Sequence, residues 1–345
     1  MAKIRFMVWN MEWMNDLFQA GTPARFRPDG EKPQHFDTGV TIAKRKADLR
    51  GVLTELAPDV LVIVEGPSET AELQLFFDDW QPGVWQCHLQ KTRSSTQNVG
   101  IAVRAASGLF APTALTPFNT GATGVFDDFI VDVDDDGVDE SYRFERRPLH
   151  AQVNLADGSG FRVLGVHLKS KAIFDSYEWS KWWQVADGNR RRILAQASHI
   201  RANFIEPFLT DAETRSIPLI VCGDVNDGPG LDASEKRLFG SGIERLMASV
   251  WQPHLSLRNA LFDTLDPRKQ KKLDFETLAT TRFRDPLFNS MTHREWIDHI
   301  LYSANRAAPW VSNGRVAAHA ADGTAFWSRF KNASDHSPVM ADLDL

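Results

Sequence analysis

Two cysteines, Cys87 and Cys222, in 345 residues are too few for a disulfide framework. Both sit in apolar segments, so buried free thiols are expected. No apolar run reaches the ~18 residues of a membrane span. The N-terminal stretch 1–9 reads as a strand and lacks the long apolar core of a secretory signal. The expectation is a soluble, cytoplasmic protein, with secretion left open. An excess of positive charge is also missing. The net charge of -6 argues against a broad surface that coats nucleic acid. It leaves room for a small anionic substrate held by a metal and a few local cations. There is no thiolate cluster and no HExxH helix, which sets zinc aside. Repeats, low-complexity tracts and flexible linkers are absent. What remains is an ordinary globular composition, 43% hydrophobic and 24% charged, able to bury a sizeable core. One domain over 1–345 is expected, with insertions near 105–145 and 170–188 and a monomer by default.

The chain opens on a strand, Ile4 to Trp9, that ends on Asn10. Residues 15–37 are polar and rich in Gly and Pro, hence a loop. Val40, Ile42, Ala43, Leu49, Val52, Leu53 and Leu56 recur at helical spacing. Asp59–Val64 is a continuous apolar run, hence a buried strand, and ends on Glu65. Ser68 is expected to cap a short helix to about Phe77. Strands follow near 84–90 and 98–104, then an irregular stretch over 105–128. A hairpin over Phe129–Phe144 turns at Asp136-Gly137. Strands near 148–154 and 161–166 follow, the second leading into His167-Leu168-Lys169. An aromatic insertion precedes an amphipathic helix from Asn189 to Phe208. Pro218–Cys222 is a further buried strand opening onto Asp224-Val225-Asn226, and 229–290 reads as short helices and loops. Trp296–Ser303 is a strand carrying Asp298. The tail from Val339 alternates apolar and polar like a half-buried strand. Two similar α/β halves with hairpins inside suit two mixed sheets packed face to face with helices outside. A doubly wound sheet is the second choice, since it leaves the hairpins unplaced.

Polar residues fall where these strands end. Asn10, Glu65, His167, Asp224 with Asn226, Asp298, and Asp335 with His336 all do so. Each alone reads as a cap or turn residue, and Asp224–Gly228 has the composition of a simple turn. Six strands ending in acid, amide or imidazole form a pattern, because strand ends hold side chains rigidly at exposed loops. Asn10, Glu65 and Asp335 supply hard oxygens suited to Mg²⁺ or Mn²⁺. Asp224 and Asn226 can hold a nucleophilic water. His336, paired with Asp298, can aid its deprotonation or bind a phosphate oxygen. His167 and Lys169, two apart at a strand end, point the same way and can donate to a phosphoryl oxygen. This equipment suits in-line attack of water on a phosphorus ester.

The pieces WNMEW (9–13), VIVEG (62–66), NVGIAV (98–103), RRPLHAQV (146–153), GVHLKSK (165–171), GDVNDGPG (223–230), WIDHILYS (296–303) and SDHSPV (334–339) carry a resemblance. In this order the sequence resembles the endonuclease/exonuclease/phosphatase superfamily, the metal-dependent phosphoesterases related to DNase I. The resemblance implies a four-layer αββα sandwich and hydrolysis of a P–O bond. It places Asn10 and Glu65 on metal-ligand positions and Asp335 on a metal-linked one. It places Asp224 and Asn226 on the nucleophile and transition-state positions, and His336 and Asp298 on a His–Asp pair. His167 falls on a phosphate-contacting or general-acid position found in some branches. Arg146 or Arg147 falls on a substrate-contacting arginine. Asn98 and Lys169 complete the expected phosphate contacts. Whether the His–Asp pair acts as base or electrostatically stays open.

The chain also departs from the family pattern. Glu12 is either a residue behind the metal ligands or a solvent-facing strand end. Asp132, Asp134, Asp136 and Gly137 echo the start of a Ca²⁺ loop, but Arg143 stands at its twelfth position, where a bidentate Glu belongs. The alternative there is a plain Asp-Gly hairpin. Trp179, Trp182 and Trp183 lie on one face of a helical turn, for packing or as a substrate wall beside His167. Arg190, Arg191 and Arg192 are placed at a helix start, where the dipole does not favour them. The basic run 268–272 reads as a solvated loop, and His199, His254 and His319 as structural or surface residues. The expected function is divalent-metal-dependent phosphodiester hydrolysis, with a nuclease on DNA or RNA favoured. A phosphatase or phospholipase C-type enzyme on a phospholipid or inositol phosphate is the alternative. A non-catalytic binding protein on this fold ranks last.

Overall fold

Apolar runs buried on both faces build the centres of two sheets. The computed structural model describes residues 3–35, 39–92, 96–133, 136–173, 178–228, 233–238, 240–249, 251–265, 278–284, 292–306 and 309–345. The strands are β1 (Lys3–Asn10), β2 (Val60–Gly66), β3 (Gln86–Gln90), β4 (Asn98–Val103), β5 (Phe110–Phe118), β6 (Phe129–Val131), β7 (Glu140–Tyr142) and β8 (Leu149–Leu155). They continue as β9 (Gly160–His167), β10 (Leu219–Asp224), β11 (Leu257–Asn259), β12 (Thr281–Arg284), β13 (Thr292–Glu295), β14 (Asp298–Ser303), β15 (Val311–Val316) and β16 (Val339–Asp344). The helices are α1 (Ile42–Leu56), α2 (Thr70–Asp78), α3 (Trp182–Ile200), α4 (Glu206–Thr210), α5 (Ala233–Leu238), α6 (Gly242–Met247), α7 (Ala260–Asp263) and α8 (Phe326–Arg329).

The first sheet has the order β15-β16-β1-β2-β4-β3, the second β11-β14-β10-β9-β8-β5. Each is antiparallel except for one central parallel pair, β1 with β2 and β9 with β10. Alternation along β1 sends Phe6 and Val8 into the core between the sheets and Met7 and Trp9 into the helix layer. The inter-sheet core joins Val62, Ile101 and Val339 to Ala151, Val163, Ile220 and Ile300. Leu49, Val52, Leu53, Phe76 and Phe77 of α1 and α2 cover the outer face of the first sheet. Ile193, Leu194, Ala197 and Ile200 of α3 cover the second. The layers are therefore helix, sheet, sheet, helix, as the resemblance implied.

Four details differ from the sequence reading. Residues 110–118, expected to be irregular, form β5. Its Pro112 and Pro117 disguise it, and an edge strand tolerates them because one side needs no donors. Helix α3 begins at Trp182 rather than Asn189 because Gly188 is carried inside it, at a cost of ~1 kcal/mol relative to Ala. Arg190, Arg191 and Arg192 are therefore mid-helix residues. The N-cap of α2 is Glu69, not Ser68, and the Glu72 carboxylate accepts the N–H groups of both Ser68 (2.8 Å) and Glu69 (3.0 Å). Strand β15 is not expected from the sequence, and a register shift between Ser312 and Arg315 interrupts its pairing with β16.

Candidate active site

The parallel pairs of both sheets end on the same side, and the antiparallel neighbours begin there. Asp224, the last residue of β10, lies in register between His167 of β9 and Asp298 of β14. In the other sheet, β16 runs antiparallel to β1, with Val8 opposite Val339. This sets 334–338 beside Asn10 and Glu65. The link across the sandwich is Asn10. Its Nδ2 donates to Asp224 Oδ2 (3.1 Å) and to Glu65 Oε1 (3.4 Å), and its Oδ1 accepts from Glu12 N (2.9 Å). Glu65 Oε2 accepts from Trp13 N at 2.9 Å. His167 Nε2 lies 3.9 Å from Glu65 and 3.8 Å from Asp224. His336 Nδ1 meets Asp298 Oδ2 at 2.7 Å, and its Nε2 faces Asp335 at 3.8 Å.

Backbone strain gathers here. Among the described non-glycine residues with positive φ, Glu12 (43°), Trp13 (51°), Glu65 (55°), Gln97 (54°) and Asn226 (58°) all border this cluster. Such conformations cost ~1–3 kcal/mol each and persist only where the surroundings enforce them. Arg45 enforces one. It lies fully buried on the apolar face of α1 and donates to the carbonyls of Met11 (3.0 Å) and Glu12. Asn226 is held by its own N–H donating to Asp224 Oδ1 (2.8 Å) and its Nδ2 to Leu168 O (3.2 Å). Ser334 accepts from His336 N (3.0 Å) and donates to Asn10 O (2.7 Å). Thr280 accepts the N–H groups of Ile297 and Asp298, both at 3.1 Å.

Crowding of charge sets the protonation states. Burial and then Asp298 push Asp224 up to about 7. Burial and then Asp335 push Glu12 up to about 8, against the pull of Arg45. Burial would lower His336, but Asp298, Asp335 and Asp224 together raise it well above the ordinary imidazole value. His167 moves the other way. Burial, Arg146, His336 and Lys169 hold it well below that value, so it is neutral.

The expected site residues divide on placement. Asn10, Glu65, His167, Asp224, Asn226, Asp298, Asp335 and His336 converge. Glu12 joins them, since its carboxylate accepts from Asp335 N at 3.0 Å. Arg146 faces Glu65 and Asp224, braced by Gln97 Oε1 (2.6 Å from Nη2) and Leu168 O (3.3 Å from Nη1). Arg147 is turned away onto Asp127 at 2.7 Å. Asn98, offered as a phosphate contact, is wholly buried. Its amide is spent on Thr92 N (2.7 Å) and Pro67 O (2.8 Å), so it fastens two loops instead. Lys169 Nζ donates to Ser170 O at 3.2 Å, near enough for its charge to act on His167. Asp132 spends its carboxylate on the turn amides of Asp136 (3.3 Å) and Gly137 (2.9 Å), while Asp134 lies outside the described residues, as does the run 268–272.

Arg45, Gln97, Thr280 and Ser334 were not singled out from sequence. A signal existed for Arg45, a cation at the i+3 position of an apolar helical face. Ser334 lay inside a quoted motif. Gln97 and Thr280 carry no pattern of their own.

The cluster fits a divalent cation. Its oxygens come from carboxylates and an amide, its acids repel one another, and the buried Asp298 Oδ1 has no hydrogen-bond partner. Asp224, Asp298 and His336 each bring a ligand-type atom within 4.8 Å of the others.

A model of the Endonuclease/Exonuclease/phosphatase family matches residues 8–336. Comparison with curated proteins finds no match. Among solved structures, D. rerio TDP2 complexed with single strand DNA product is 15% identical, with a TM-score of 0.50 over 100% of both chains. Truncated Caenorhabditis elegans TDP2 is 13% identical, with a TM-score of 0.51 over 99% of this chain and 98% of that one. At these identities the likeness is one of fold.

Proposed function

This chain belongs to the endonuclease/exonuclease/phosphatase family, and from that premise we propose a phosphodiesterase that uses Mg²⁺ or Mn²⁺ and acts on nucleic acid. The observation that carries the reading is the Asn10 amide. It ties Glu65 of one sheet to Asp224 of the other, with His167, Asp298 and His336 around it. Glu65 and Asn10, with Asp335 opposite, would hold the cation. Asp224, Asp298 and His336, the last held by Asp298 at 2.7 Å, border that cation and are given to the water and the transition state. When bound, the cation neutralises charge on the phosphoryl oxygens.

The protein's own groups then divide the work. Asp224, poised near neutrality, orients a water and takes its proton as the oxygen bonds to phosphorus, while the P–O bond on the opposite side breaks and the leaving alkoxide takes a proton from solvent. Asn226 fixes the Asp224 carboxylate through its N–H. His336, held as imidazolium by Asp298, stabilises the negative charge of the pentavalent transition state. Neutral His167 and the Arg146 guanidinium donate to non-bridging oxygens. The nucleic-acid choice draws on the DNA product in the D. rerio TDP2 structure, which is a property of that protein.

Plasmid, single-stranded DNA, RNA and bis-p-nitrophenyl phosphate, each with the metal and with EDTA, test the reading. Cleavage that stops with EDTA is expected on at least one. No metal-dependent turnover on any would overturn it. Phosphate release from monoesters alone would replace it with a phosphatase.

A further inference from the structure

A cavity of about 730 Å³ has Glu12, Asp335 and His336 on one wall and extends from them to residues given no role above, among them Arg282, Arg294 and Trp327. Residues 334–338 form one wall, so its contents sit directly next to the reacting centre. The interior is aromatic and aliphatic, from Trp9, Val52, Phe326 and Phe330. The lining also holds Arg282, Arg294, Lys331 and Trp327, with the acids Glu12 and Asp335 beside the reacting centre. Trp327 is a large exposed ring (59% exposed), and the Arg282 guanidinium lies 4.9 Å from its centroid. On a chain of net charge -6, three cations against two acids leave this hollow net positive.

Resting on the phosphodiesterase reading, we infer that this cavity is a subsite for the nucleotide adjoining the scissile phosphate. Its base enters among the aromatic rings, and its phosphate lies on Arg282 and Arg294. The volume falls within the ~300–1,000 Å³ that small-ligand sites occupy. Rings stack on bases of any sequence, and arginines at the rim neutralise the backbone. His319 and Ser337 also line the wall. They set polar groups among the rings, which a base edge can use and an acyl chain cannot. The partner is therefore a single strand, since a paired base cannot leave its stack to enter a hollow without extra cost.

Trp327→Ala and Arg294→Ala test this, because both side chains are exposed and neither is placed in the chemistry. With the metal, both should raise KM for a fluorescein-labelled thymidine octamer by at least about fivefold. Turnover of bis-p-nitrophenyl phosphate, which is too small to reach the rim, should not change. Anisotropy of the same octamer in EDTA should show the same loss of affinity without any turnover. An unchanged octamer affinity in both variants would overturn the subsite. So would an equal loss on the small diester, which marks a structural role, or a loss confined to phosphatidylcholine vesicles, which marks a lipid site. If the unsubstituted protein cleaves no diester, the phosphodiesterase reading falls alone, and the anisotropy still decides the subsite.

Discussion

At the residue scale, function here depends on where two neighbouring side chains point. Arg146 and Arg147 are equivalent as letters, yet one faces Glu65 and Asp224 and the other Asp127. Arg146→Ala should lower kcat/KM by at least ~10-fold, since it removes a donor to the phosphoryl group. Arg147→Ala should stay within ~3-fold and lose only a surface ion pair. Equal losses in steady-state assays would show that the orientation argument is wrong. Asp224→Asn and His336→Ala should each cut turnover at least ~100-fold with the circular dichroism unchanged. Undiminished rates would move the chemistry elsewhere. Gln97 shows the limit of reading residues singly. Nothing in its local sequence marks it, and its importance comes from Arg146, 49 positions away.

At the element scale, the ends of β10 and β14 deliver the acids, and a glycine makes the delivery possible. Gly223 has φ +140°, and a Cβ there would stand 1.9 Å from Val166 O of the neighbouring strand. Strand β9 could yield only by displacing His167, the next residue. Gly223→Ala should therefore cost at least ~3 kcal/mol, well above the typical point substitution. A urea midpoint shift equivalent to under ~1 kcal/mol would contradict this. The strands were legible because each is an apolar run closed by a polar residue. Strand β5 and the first two turns of α3 were not, because prolines and Gly188 mimic loop chemistry while edge position and packing override it.

At the scale of the whole molecule, four layers press like charges together, and stability should depend on pH and metal. A carboxyl raised above its unfolded value contributes stability that is present at low pH and lost as pH rises through the folded value. Asp224, raised from 3.8 to about 7, and Glu12, raised from 4.5 to about 8, spread that loss from about pH 4 to about pH 8. His336, also raised, acts in the same direction. His150 and His299, lowered from 6.5 to about 4 by burial, act oppositely between about pH 4 and about pH 6.5, which leaves the fall unopposed in the window from about pH 6.5 to about pH 8. In EDTA, Tm should fall across that window, and the Tm gain on adding Mg²⁺ or Mn²⁺ should be larger at the alkaline end. A gain independent of pH in a thermal melt would count against a cation among these acids. Asp224→Asn should flatten the slope in EDTA.

The sequence by itself determined which segments are buried strands, which polar residues close them, and that their chemistry suits a cation and a phosphate. These are local properties of periodicity and residue type. Only the tertiary structure decided that Asn10 reaches Asp224, that Arg146 and not Arg147 faces the cleft, that Asn98 serves the scaffold, and that Asp298, Asp335 and Asp224 crowd His336. Contacts across hundreds of residues, and the charge states that burial imposes on them, exist only once the two sheets have closed on each other.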